Sequence, residues 1–350
     1  MKFGLAKSLN FFFIFSVLLM LLFTGFSSDP SNNFLNLEEH FYKKNLIIEY
    51  YNRLRIKLGD RVFPTVLIGE DGWMEYIPGN NLDDFQNAKN FTPQSLSNTA
   101  QAINACHKFA AENNIVFLMV MAPNKASIYP EKLPKVIQPL NSQSKIDQLN
   151  NYLRDNNIPE VLDLRPVLIQ ARKDGDVYYL TDTHWNGYGA YIAYEAIITH
   201  LSKMYPGLEE PYSLKFFRIR KENKDVTLGT AKQIQANYIN EPLLTPTRKL
   251  NDIVSVINLP DTNDYRKVSW IPDSTLPTLM LFHDSFGSFY LNDMLSVNFS
   301  EIHYFHMASS GKYLNPKTIK LFSPDIIIYQ VVERNLGAIE RDLSFCSPAE

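Results

Sequence analysis

Apolar residues along the middle of the chain alternate between helical spacing and uninterrupted runs. The segment SLSNTAQAINACHKFAAENN has apolar residues at helical spacing, and IVFLMVMAP follows it as a continuous apolar strand. SKIDQLNNYLRDNNI and PEVLDLRPVLI repeat this order of helix and strand, and a further helix is expected from Asn186. Helices that alternate with buried strands predict a three-layer α/β fold with a mainly parallel sheet.

A different pattern interrupts this alternation between about residues 205 and 275. Three short segments of alternating polar and apolar residues lie here without a long helix: SLKFFRIRKENKDVTLG, DIVSVINLP and YRKVSWIPD. The earlier pattern resumes with TLMLFHDSFGSFYLNDML, which predicts a strand, a tight turn and a helix, and with the strands EIHYFHM and PDIIIYQVVER. We therefore predict one domain over residues 91–345 with a β-rich insertion at about residues 205–275.

Two further segments precede this domain. Lys2 and Lys7 lead into the apolar run FFFIFSVLLMLLFTGF, so residues 1–28 are predicted to be a signal peptide or a membrane anchor. An apolar run of roughly 17 residues lies between the length of a signal-peptide core and that of a membrane span. We favour an uncleaved anchor that places the rest of the chain outside the cytoplasm. Residues 29–90 predict a helix and the hairpin FPTVLIGEDGWMEYIPG, with its turn at Asp71-Gly72.

Composition and charge exclude some classes of function. The formal net charge is -3 and no block of basic residues stands out, so the chain lacks the electrostatic signature of a nucleic-acid-binding protein. Cys106 and Cys346 are too few for a zinc knuckle or a disulfide framework, and whether they pair stays open. A metal site built from His283, Asp284 and His184 is an alternative that we do not adopt. No cofactor is predicted.

The residues that follow the predicted strands are the candidates for chemistry, because ligands of open α/β sheets bind at the carboxyl ends of the strands. Ser285 lies at a predicted turn between a strand and a helix, together with Gly287, which is a further candidate for binding the substrate or the oxyanion. A serine at such a turn is exposed, and the backbone N–H groups beside it favour a developing oxyanion. This position suits a nucleophile, although an ordinary helix N-cap explains the same serine.

Asp182 and His184 supply the residue types that would activate such a serine. A serine hydroxyl needs an imidazole to accept its proton and a carboxylate to orient that imidazole. Two residues apart on a loop, Asp182 and His184 can point the same way and leave one ring nitrogen for Ser285. Local capping by Asp182 and packing of His184 are the alternative interpretation. Asn186 is expected to cap the following helix and so anchor the loop.

Further candidates lie near the same sheet edge. Asn124 is a candidate oxyanion donor and Lys125 a candidate for holding an acidic or acyl group, although loop turn chemistry explains both. Trp185 either stacks on a sugar ring or braces the loop, and we favour bracing. Glu333 and Arg334 follow the last strand, where an ion pair that supports the loops is expected.

Five segments in this order resemble one known family: GEDGWMEY, MAPNKASIYPEKLP, TDTHWNGYGA, LFHDSFG and PDIIIYQVVERNL. They are similar to the SGNH-hydrolase-like family of alginate O-acetyltransferases, the AlgX/AlgJ type, over about residues 66–336. The resemblance implies an SGNH-hydrolase-like fold and a catalytic triad of Asp182, His184 and Ser285. In this triad Asp and His precede Ser along the chain, whereas the serine comes first in ordinary SGNH esterases.

The resemblance also implies a function. Members of this family transfer acetyl groups to polysaccharide hydroxyls outside the cytoplasmic membrane, usually with a membrane-bound O-acyltransferase as the acetyl source. We therefore expect an O-acetyltransferase of the periplasm or cell surface, anchored or exported, in which Ser285 forms an acyl-enzyme and a sugar hydroxyl accepts the acyl group. Two alternatives stay open: a carbohydrate esterase with the same triad, and a non-catalytic scaffold that binds a glycan or a partner.

Overall fold

The computed structural model describes residues 44–79, 81–247, 250, 253–258, 265–307, 313–343 and 346. Backbone contacts divide the chain into two units, residues 1–48 and residues 49–350. Only the start of helix α1 (Lys44–Lys57) is described in the first unit, and all later elements belong to the second. The predicted signal or anchor at residues 1–28 lies outside the described residues. None of the described helices is long and apolar enough to cross a membrane.

The predicted hairpin is confirmed. β1 (Val66–Ile68) pairs antiparallel with β2 (Met74–Tyr76), and a 3₁₀ turn over Glu70–Gly72 joins the two strands. Asp71 and Gly72 adopt the left-handed conformation there, with φ of 54° and 81°. Glycine adopts this conformation without a steric penalty, and aspartate tolerates it better than most residues do.

A seven-stranded sheet forms the centre of the second unit. Five of its strands run parallel: β3 (Val116–Ala122), β4 (Leu162–Asp163), β9 (Thr278–His283), β10 (Glu301–His306) and β11 (Ile326–Val332). Two strands extend the sheet beyond β10: β8 (Tyr265–Trp270) pairs antiparallel with β10, and β7 (Ser255–Asn258) pairs antiparallel with β8. The order across the sheet is β4-β3-β11-β9-β10-β8-β7. An α/β fold with a mixed, mainly parallel sheet is thus confirmed.

Helices cover both faces of this sheet, because alternate residues of each buried strand point to opposite sides. In β3, Leu118 and Val120 pack on one face, whereas Phe117 and Met119 pack on the other. The first face is covered by α6 (Arg165–Ala171), α7 (Gly187–Met204) and the short α10 (Asn292–Leu295). The second is covered by α3 (Pro93–Glu112), α5 (Lys145–Asp155), α11 (Pro316–Phe322) and α12 (Ile339–Leu343).

One predicted strand is much shorter than expected. PEVLDLRPVLI was interpreted as a strand, but β4 covers only Leu162–Asp163 and α6 begins two residues later. The Asp163 carboxylate accepts a hydrogen bond from the Arg165 backbone N–H at 2.9 Å. Pro166 lies in the first turn of α6, where a missing N–H costs nothing. These two residues start a helix where the apolar run alone suggested a strand.

The segment predicted as an insertion contains two kinds of structure. β5 (Ile219–Val226) and β6 (Glu241–Pro246) form a separate two-stranded antiparallel sheet, with the short helix α9 (Gly229–Gln233) between them along the chain. β7 and β8 instead belong to the central sheet. Three further short helices complete the described elements: α2 (Asn81–Phe85), α4 (Lys125–Ile128) and α8 (Leu214–Phe217).

Cys106 and Cys346, whose pairing the sequence left open, form a disulfide bond. Cys106 lies in α3 and Cys346 follows α12, so the bond joins two elements on the same face of the sheet. The bond links positions 240 residues apart in the chain.

Candidate active site

Ser285 lies at the carboxyl edge of the sheet, two residues after the end of β9, and its side chain is partly exposed. The preceding residue, Asp284, is buried and ties this turn to the neighbouring strand. Its Oδ1 accepts hydrogen bonds from the Phe286 N–H at 2.9 Å and from Gln330 Nε2 at 3.0 Å. Its Oδ2 accepts a hydrogen bond from the Val332 N–H at 2.7 Å. The turn that carries Ser285 is therefore fixed to β11.

Asp182 and His184 approach Ser285 from the loop before α7. His184 Nε2 lies 2.9 Å from Ser285 Oγ, and His184 Nδ1 lies 2.6 Å from Asp182 Oδ1. The same Asp182 oxygen accepts the His184 backbone N–H at 3.0 Å, a turn that the two-residue spacing allows. With its proton on Nδ1, the imidazole donates to the carboxylate and can accept from the serine hydroxyl. The three side chains thus form one continuous hydrogen-bonded chain.

The loop is anchored to α7 as expected. The Asn186 side-chain oxygen accepts hydrogen bonds from the backbone N–H groups of Tyr188 and Gly189, at 2.9 and 3.0 Å. Its side-chain nitrogen donates to the Asp176 carbonyl at 2.6 Å. Asn186 therefore caps the helix and also holds the chain that precedes the loop carrying Asp182.

The surroundings of Asp182 favour its ionised form. Burial on its own raises the pKa of this carboxyl, but the hydrogen bond and charge of His184 and two backbone N–H groups outweigh it, so the pKa is lowered from its ordinary value. One of the two N–H groups belongs to Gly229, which donates to Asp182 Oδ2 at 2.7 Å. An ionised Asp182 can stabilise a positive charge on His184.

Aromatic rings enclose His184. The Phe289 ring stacks on the imidazole with centroids 3.9 Å apart and an interplanar angle of 7°, and Phe286 lies 4.9 Å away on a tilted plane. Trp185 donates its Nε1–H to the Phe289 carbonyl at 3.0 Å. Because Trp185 is 0% exposed, it has no free face for a sugar ring. It braces the loop, and the sugar-stacking alternative is wrong.

Phe289 lies in an irregular turn directly after Ser285. Residues Gly287–Leu291 form a π-helical turn, in which Tyr290 has a φ of 67°. The Tyr290 hydroxyl lies 3.0 Å from the Tyr179 hydroxyl, so the turn is held against the chain that leads to Asp182. A non-glycine residue in this conformation is strained, and such strain and π-helical turns both concentrate at functional sites.

Gly287 does not offer the oxyanion donor that its position suggested. Its N–H donates to the Asp284 carbonyl at 3.1 Å. A Cβ at this position would lie 2.6 Å from His283 Cβ, so glycine is required here for close packing against His283. The candidate role of Gly287 as an oxyanion donor is therefore wrong.

Lys125 is also placed differently from the prediction. It is 1% exposed, and its ammonium donates to three backbone carbonyls: Met74 at 2.8 Å, Leu180 at 2.8 Å and Asp182 at 3.1 Å. Burial lowers the pKa of Lys125 to about 8, although nearby carboxylates act against this shift. With its three N–H donors in use, Lys125 does not hold an acidic or acyl group. It ties the hairpin to the loop that carries Asp182.

Asn124 is the candidate oxyanion donor that still has an N–H available. It is 1% exposed, its backbone N–H donates to Glu333 Oε2 at 2.8 Å, and its Oδ1 accepts a hydrogen bond from Arg334 Nη1 at 3.3 Å. The contact with Arg334 identifies the side-chain oxygen, and the opposite atom, Nδ2, is buried with no partner among the described residues. The expected ion pair between Glu333 and Arg334 is not among the described ion pairs; both residues contact Asn124 instead.

His283 does not take part in a metal site in the described part of the chain. Its Nδ1 lies 2.8 Å from the Asp284 carbonyl and its Nε2 lies 3.0 Å from Asn292 Nδ2. Burial lowers the pKa of His283 to about 4, so the imidazole is neutral near pH 7. No group of three or more His, Cys, Asp or Glu side chains that could hold a metal is found among the residues that the structure describes.

Three residues of the site were missed from the sequence: Phe289, Gly229 and Glu241. Phe289 had a usable signal, because it follows Ser285 by four residues in a segment predicted to be helical, and such pairs share a face. Gly229 and Glu241 had none. Both lie in the predicted insertion and contact the loop that carries Asp182. Gly229 is 47 residues from its partner Asp182, and Glu241 is 60 residues from its partner Thr181.

The family of the chain follows from its central segment. A family model described as "SGNH hydrolase-like domain, acetyltransferase AlgX" matches residues 66–248, just over half of the chain. The chain belongs to this acetyltransferase family. The matched segment includes Asn124, Asp182 and His184, whereas Ser285 lies beyond it.

Curated relatives carry a related name. A "Probable alginate O-acetylase AlgJ" from Azotobacter vinelandii is 27% identical over 179 residues, which are 48% of this chain and 44% of that protein. The protein of the same name from Pseudomonas fluorescens is 28% identical over 233 residues, which are 59% of this chain and 56% of that protein. The chain thus spans about half the length of the curated relatives that it matches.

Solved structures agree on the fold. The O-acetyltransferase domain of Pseudomonas putida AlgJ superposes with a TM-score of 0.54 at 19% identity, covering 79% of this chain and 93% of that domain. PatB1 from Bacillus cereus superposes with a TM-score of 0.55 at 17% identity, covering 77% of this chain and 96% of that structure. At these identities the likeness concerns the fold alone, which is SGNH-hydrolase-like.

Proposed function

We propose that the protein is an O-acetyltransferase that acts on a polysaccharide outside the cytoplasm, with Ser285 as nucleophile, His184 as general base and Asp182 as the residue that orients His184. The observation that carries this proposal is the continuous chain of hydrogen bonds from Asp182 Oδ1 through His184 to Ser285 Oγ. It lies at the carboxyl edge of a parallel sheet, where open α/β folds bind their ligands.

The first half of the reaction forms an acyl-enzyme. Ser285 Oγ transfers its proton to His184 Nε2 and attacks the carbonyl carbon of an acetyl ester, so that a C–O bond forms and the carbonyl oxygen becomes an oxyanion. The tetrahedral intermediate collapses by breaking the bond to the leaving alcohol, which takes the proton from His184. Acetyl-Ser285 remains, and Asp182 stabilises the imidazolium while it exists.

The second half transfers the acetyl group to a sugar. A sugar hydroxyl gives its proton to His184 Nε2 and attacks acetyl-Ser285, again through an oxyanion. The Ser285–acetyl bond then breaks, and Ser285 Oγ recovers the proton from His184. The product is an O-acetylated sugar, and the enzyme returns to its starting state without a net change in protons.

Two N–H donors suit the oxyanion of both steps. Asn124 Nδ2 is buried and has no partner among the described residues, so it is free to donate to a ligand oxygen. The Ser285 backbone N–H is the second candidate, because the first N–H groups of a helix have no partner within it. An oxyanion bound between them would receive one donor from each of two sheet loops.

The acceptor that the comparisons favour is alginate or a related exopolysaccharide, because the curated relatives are named alginate O-acetylases. A membrane-bound O-acyltransferase would supply the acetyl group, as the resemblance to the family implies. The disulfide between Cys106 and Cys346 supports placement in the periplasm or at the cell surface, since disulfides persist in oxidising compartments. The apolar run within residues 1–28 would serve as the export signal or anchor.

The proposal is tested with the purified full-length chain, an acetyl-ester donor and alginate oligosaccharides. Mass spectrometry of the oligosaccharides should detect added acetyl groups with the wild type and with the control Ser202→Ala, which changes a serine near the end of α7. Ser285→Ala should abolish acetylation. Release of acetate without acetylated sugar would identify a carbohydrate esterase instead, and unchanged acetylation by Ser285→Ala would show that the nucleophile is another residue.

A further inference from the structure

The loop that carries Asp182 is held by the segment predicted as an insertion. We call residues 179–182 the Asp182 loop and residues 229–244 the insertion arm. The Gly229 N–H donates to Asp182 Oδ2 at 2.7 Å, the Ala231 N–H donates to the Thr181 carbonyl at 3.1 Å, and the Tyr179 hydroxyl donates to the Leu244 carbonyl at 3.2 Å. The insertion arm thus contacts both ends of the Asp182 loop, Tyr179 and Asp182.

Glu241 of the insertion arm makes the largest set of these contacts. Its carboxylate accepts hydrogen bonds from the backbone N–H groups of Leu180 and Thr181, at 2.9 and 2.6 Å, and from the Thr181 hydroxyl. Lys125 carries the opposite charge, and its ammonium donates to the Leu180 and Asp182 carbonyls of the same loop. The Asp182 loop therefore lies between a carboxylate that accepts from its N–H groups and an ammonium that donates to its carbonyls.

Gly229 determines how the Asp182 carboxylate is oriented. Oδ1 of Asp182 contacts His184, and Oδ2 is the oxygen that Gly229 contacts. These two hydrogen bonds favour the rotation of the carboxylate that faces the imidazole. A Cβ at Gly229 would lie 2.6 Å from Asp182 Oδ2, closer than real Cβ contacts come. Only glycine allows the backbone to approach the carboxylate this closely.

We propose that the insertion arm is a positioning element of the active site, and that Gly229 and Glu241 are its positioning residues. This inference rests on the proposed function of the Asp182, His184 and Ser285 triad. Neither residue would contact the substrate. Gly229 fixes the rotation of the Asp182 carboxylate, and Glu241 fixes the backbone that carries it. The insertion is then a part of the catalytic machinery and not an appendage to it.

The first test is Gly229→Ala, with Gly175→Ala as its matched control. Gly175 has no atom within 4 Å of an added Cβ, so its substitution meets open space. We expect Gly229→Ala to lower kcat for acetyl-ester cleavage by about a hundredfold with little change in KM, because it displaces the carboxylate that orients the base. Gly175→Ala should match the wild type. A kcat of Gly229→Ala equal to that of Gly175→Ala would overturn the inference.

A double-mutant cycle separates positioning from a general loss of structure. If Gly229 acts through Asp182, Gly229→Ala should have no further effect on kcat in an Asp182→Ala background, where no carboxylate remains to be displaced. A purely structural role would instead lower kcat by the same factor in both backgrounds, and that result would contradict the proposal.

Glu241→Gln is the second variant, and it adds no volume that could prevent folding. It replaces one carboxylate oxygen with an NH2 group, which cannot accept from the loop donor that it faces, so kcat should fall about tenfold with little change in KM. An unchanged kcat would exclude a positioning role for Glu241. Ser285→Ala, measured in the same assay, separates a failure of the proposed function from a failure of the positioning role. If Ser285→Ala is active, the proposed function fails. If Ser285→Ala is inactive while Gly229→Ala and Glu241→Gln are fully active, only the positioning role is refuted.

Discussion

Among the described residues, Asn124 is a buried amide whose side-chain N–H donors have no partner, and a buried donor without a partner costs free energy. Its oxygen is already used by Arg334 and its backbone N–H by Glu333. The unused Nδ2 is therefore the atom available to a ligand. If it binds the oxyanion, Asn124→Ala should lower kcat by about a hundredfold to a thousandfold and leave KM for the acetyl donor nearly unchanged.

Asn124→Asp serves as the control for this prediction. It keeps an oxygen that can accept from Arg334 but replaces the N–H donor with a second oxygen. Steady-state kinetics of both variants on one acetyl ester decide between two roles. Equal loss in both supports the oxyanion donor, whereas an active Asn124→Asp would mean that Asn124 serves only to hold Arg334.

Glu75 is buried near Lys125, and its Oε1 has no partner among the described residues. Burial raises the pKa of Glu75 from 4.5 to about 7, although the charge of Lys125 acts against the shift. Between pH 4.5 and about 7, the Glu75 carboxyl keeps its proton in the folded protein but loses it in the unfolded chain. The contribution of Glu75 to the free energy of unfolding is therefore fully present below pH 4.5. It decreases as the pH rises to about 7, by an amount on the order of 3 kcal/mol.

Glu75→Gln checks this pH dependence, because glutamine has the shape of the protonated carboxyl and does not titrate. Urea unfolding of both proteins at several pH values gives the two free energies of unfolding. The wild-type value minus the variant value should decrease between pH 4.5 and 7. A difference that stays constant over this pH range would refute the raised pKa of Glu75.

Most of the strands and helices next to the candidate site residues could be predicted from the sequence, but the segments that hold those residues in place could not. β3, β9 and β11 were predictable because a strand buried on both faces is a continuous apolar run, and α7 because Asn186 caps it. β4 was not, since Asp163 starts a helix within the same apolar run. The π-helical turn over Gly287–Leu291 was not predictable either, because its strain is sustained by contacts such as the Tyr290 and Tyr179 pair.

The same division applies to the candidate site. Asp182, His184 and Ser285 were singled out because their residue types, together with the position of Ser285 after a strand, suggest one chemistry. Lys125 and Gly287 were assigned the wrong roles, because only the folded chain shows that their N–H donors are already used. Local patterns identify which groups are present, whereas the availability of a donor depends on every neighbour in three dimensions.

At the scale of the whole molecule, the disulfide makes the location of the protein testable. Cys106 and Cys346 are the only two cysteines in the sequence, so the state of this one bond can be read without ambiguity. A compartment outside the cytoplasm keeps such a bond oxidised, whereas cytoplasmic reductants keep thiols reduced. The bond therefore reports the compartment in which the chain folded.

The redox state of the bond between Cys106 and Cys346 in cells tests the proposed location of the protein. Cells are quenched with acid and the denatured protein is treated with a maleimide reagent, which adds mass to each free thiol. We expect no added mass unless a reductant is supplied first, and no added mass under either condition for the double variant Cys106→Ala, Cys346→Ala. A chain from which residues 1–28 are deleted should gain two adducts without reduction, because it would stay in the cytoplasm. If the full-length chain gains two adducts as well, the protein folds in a reducing compartment and the proposed extracytoplasmic location is refuted.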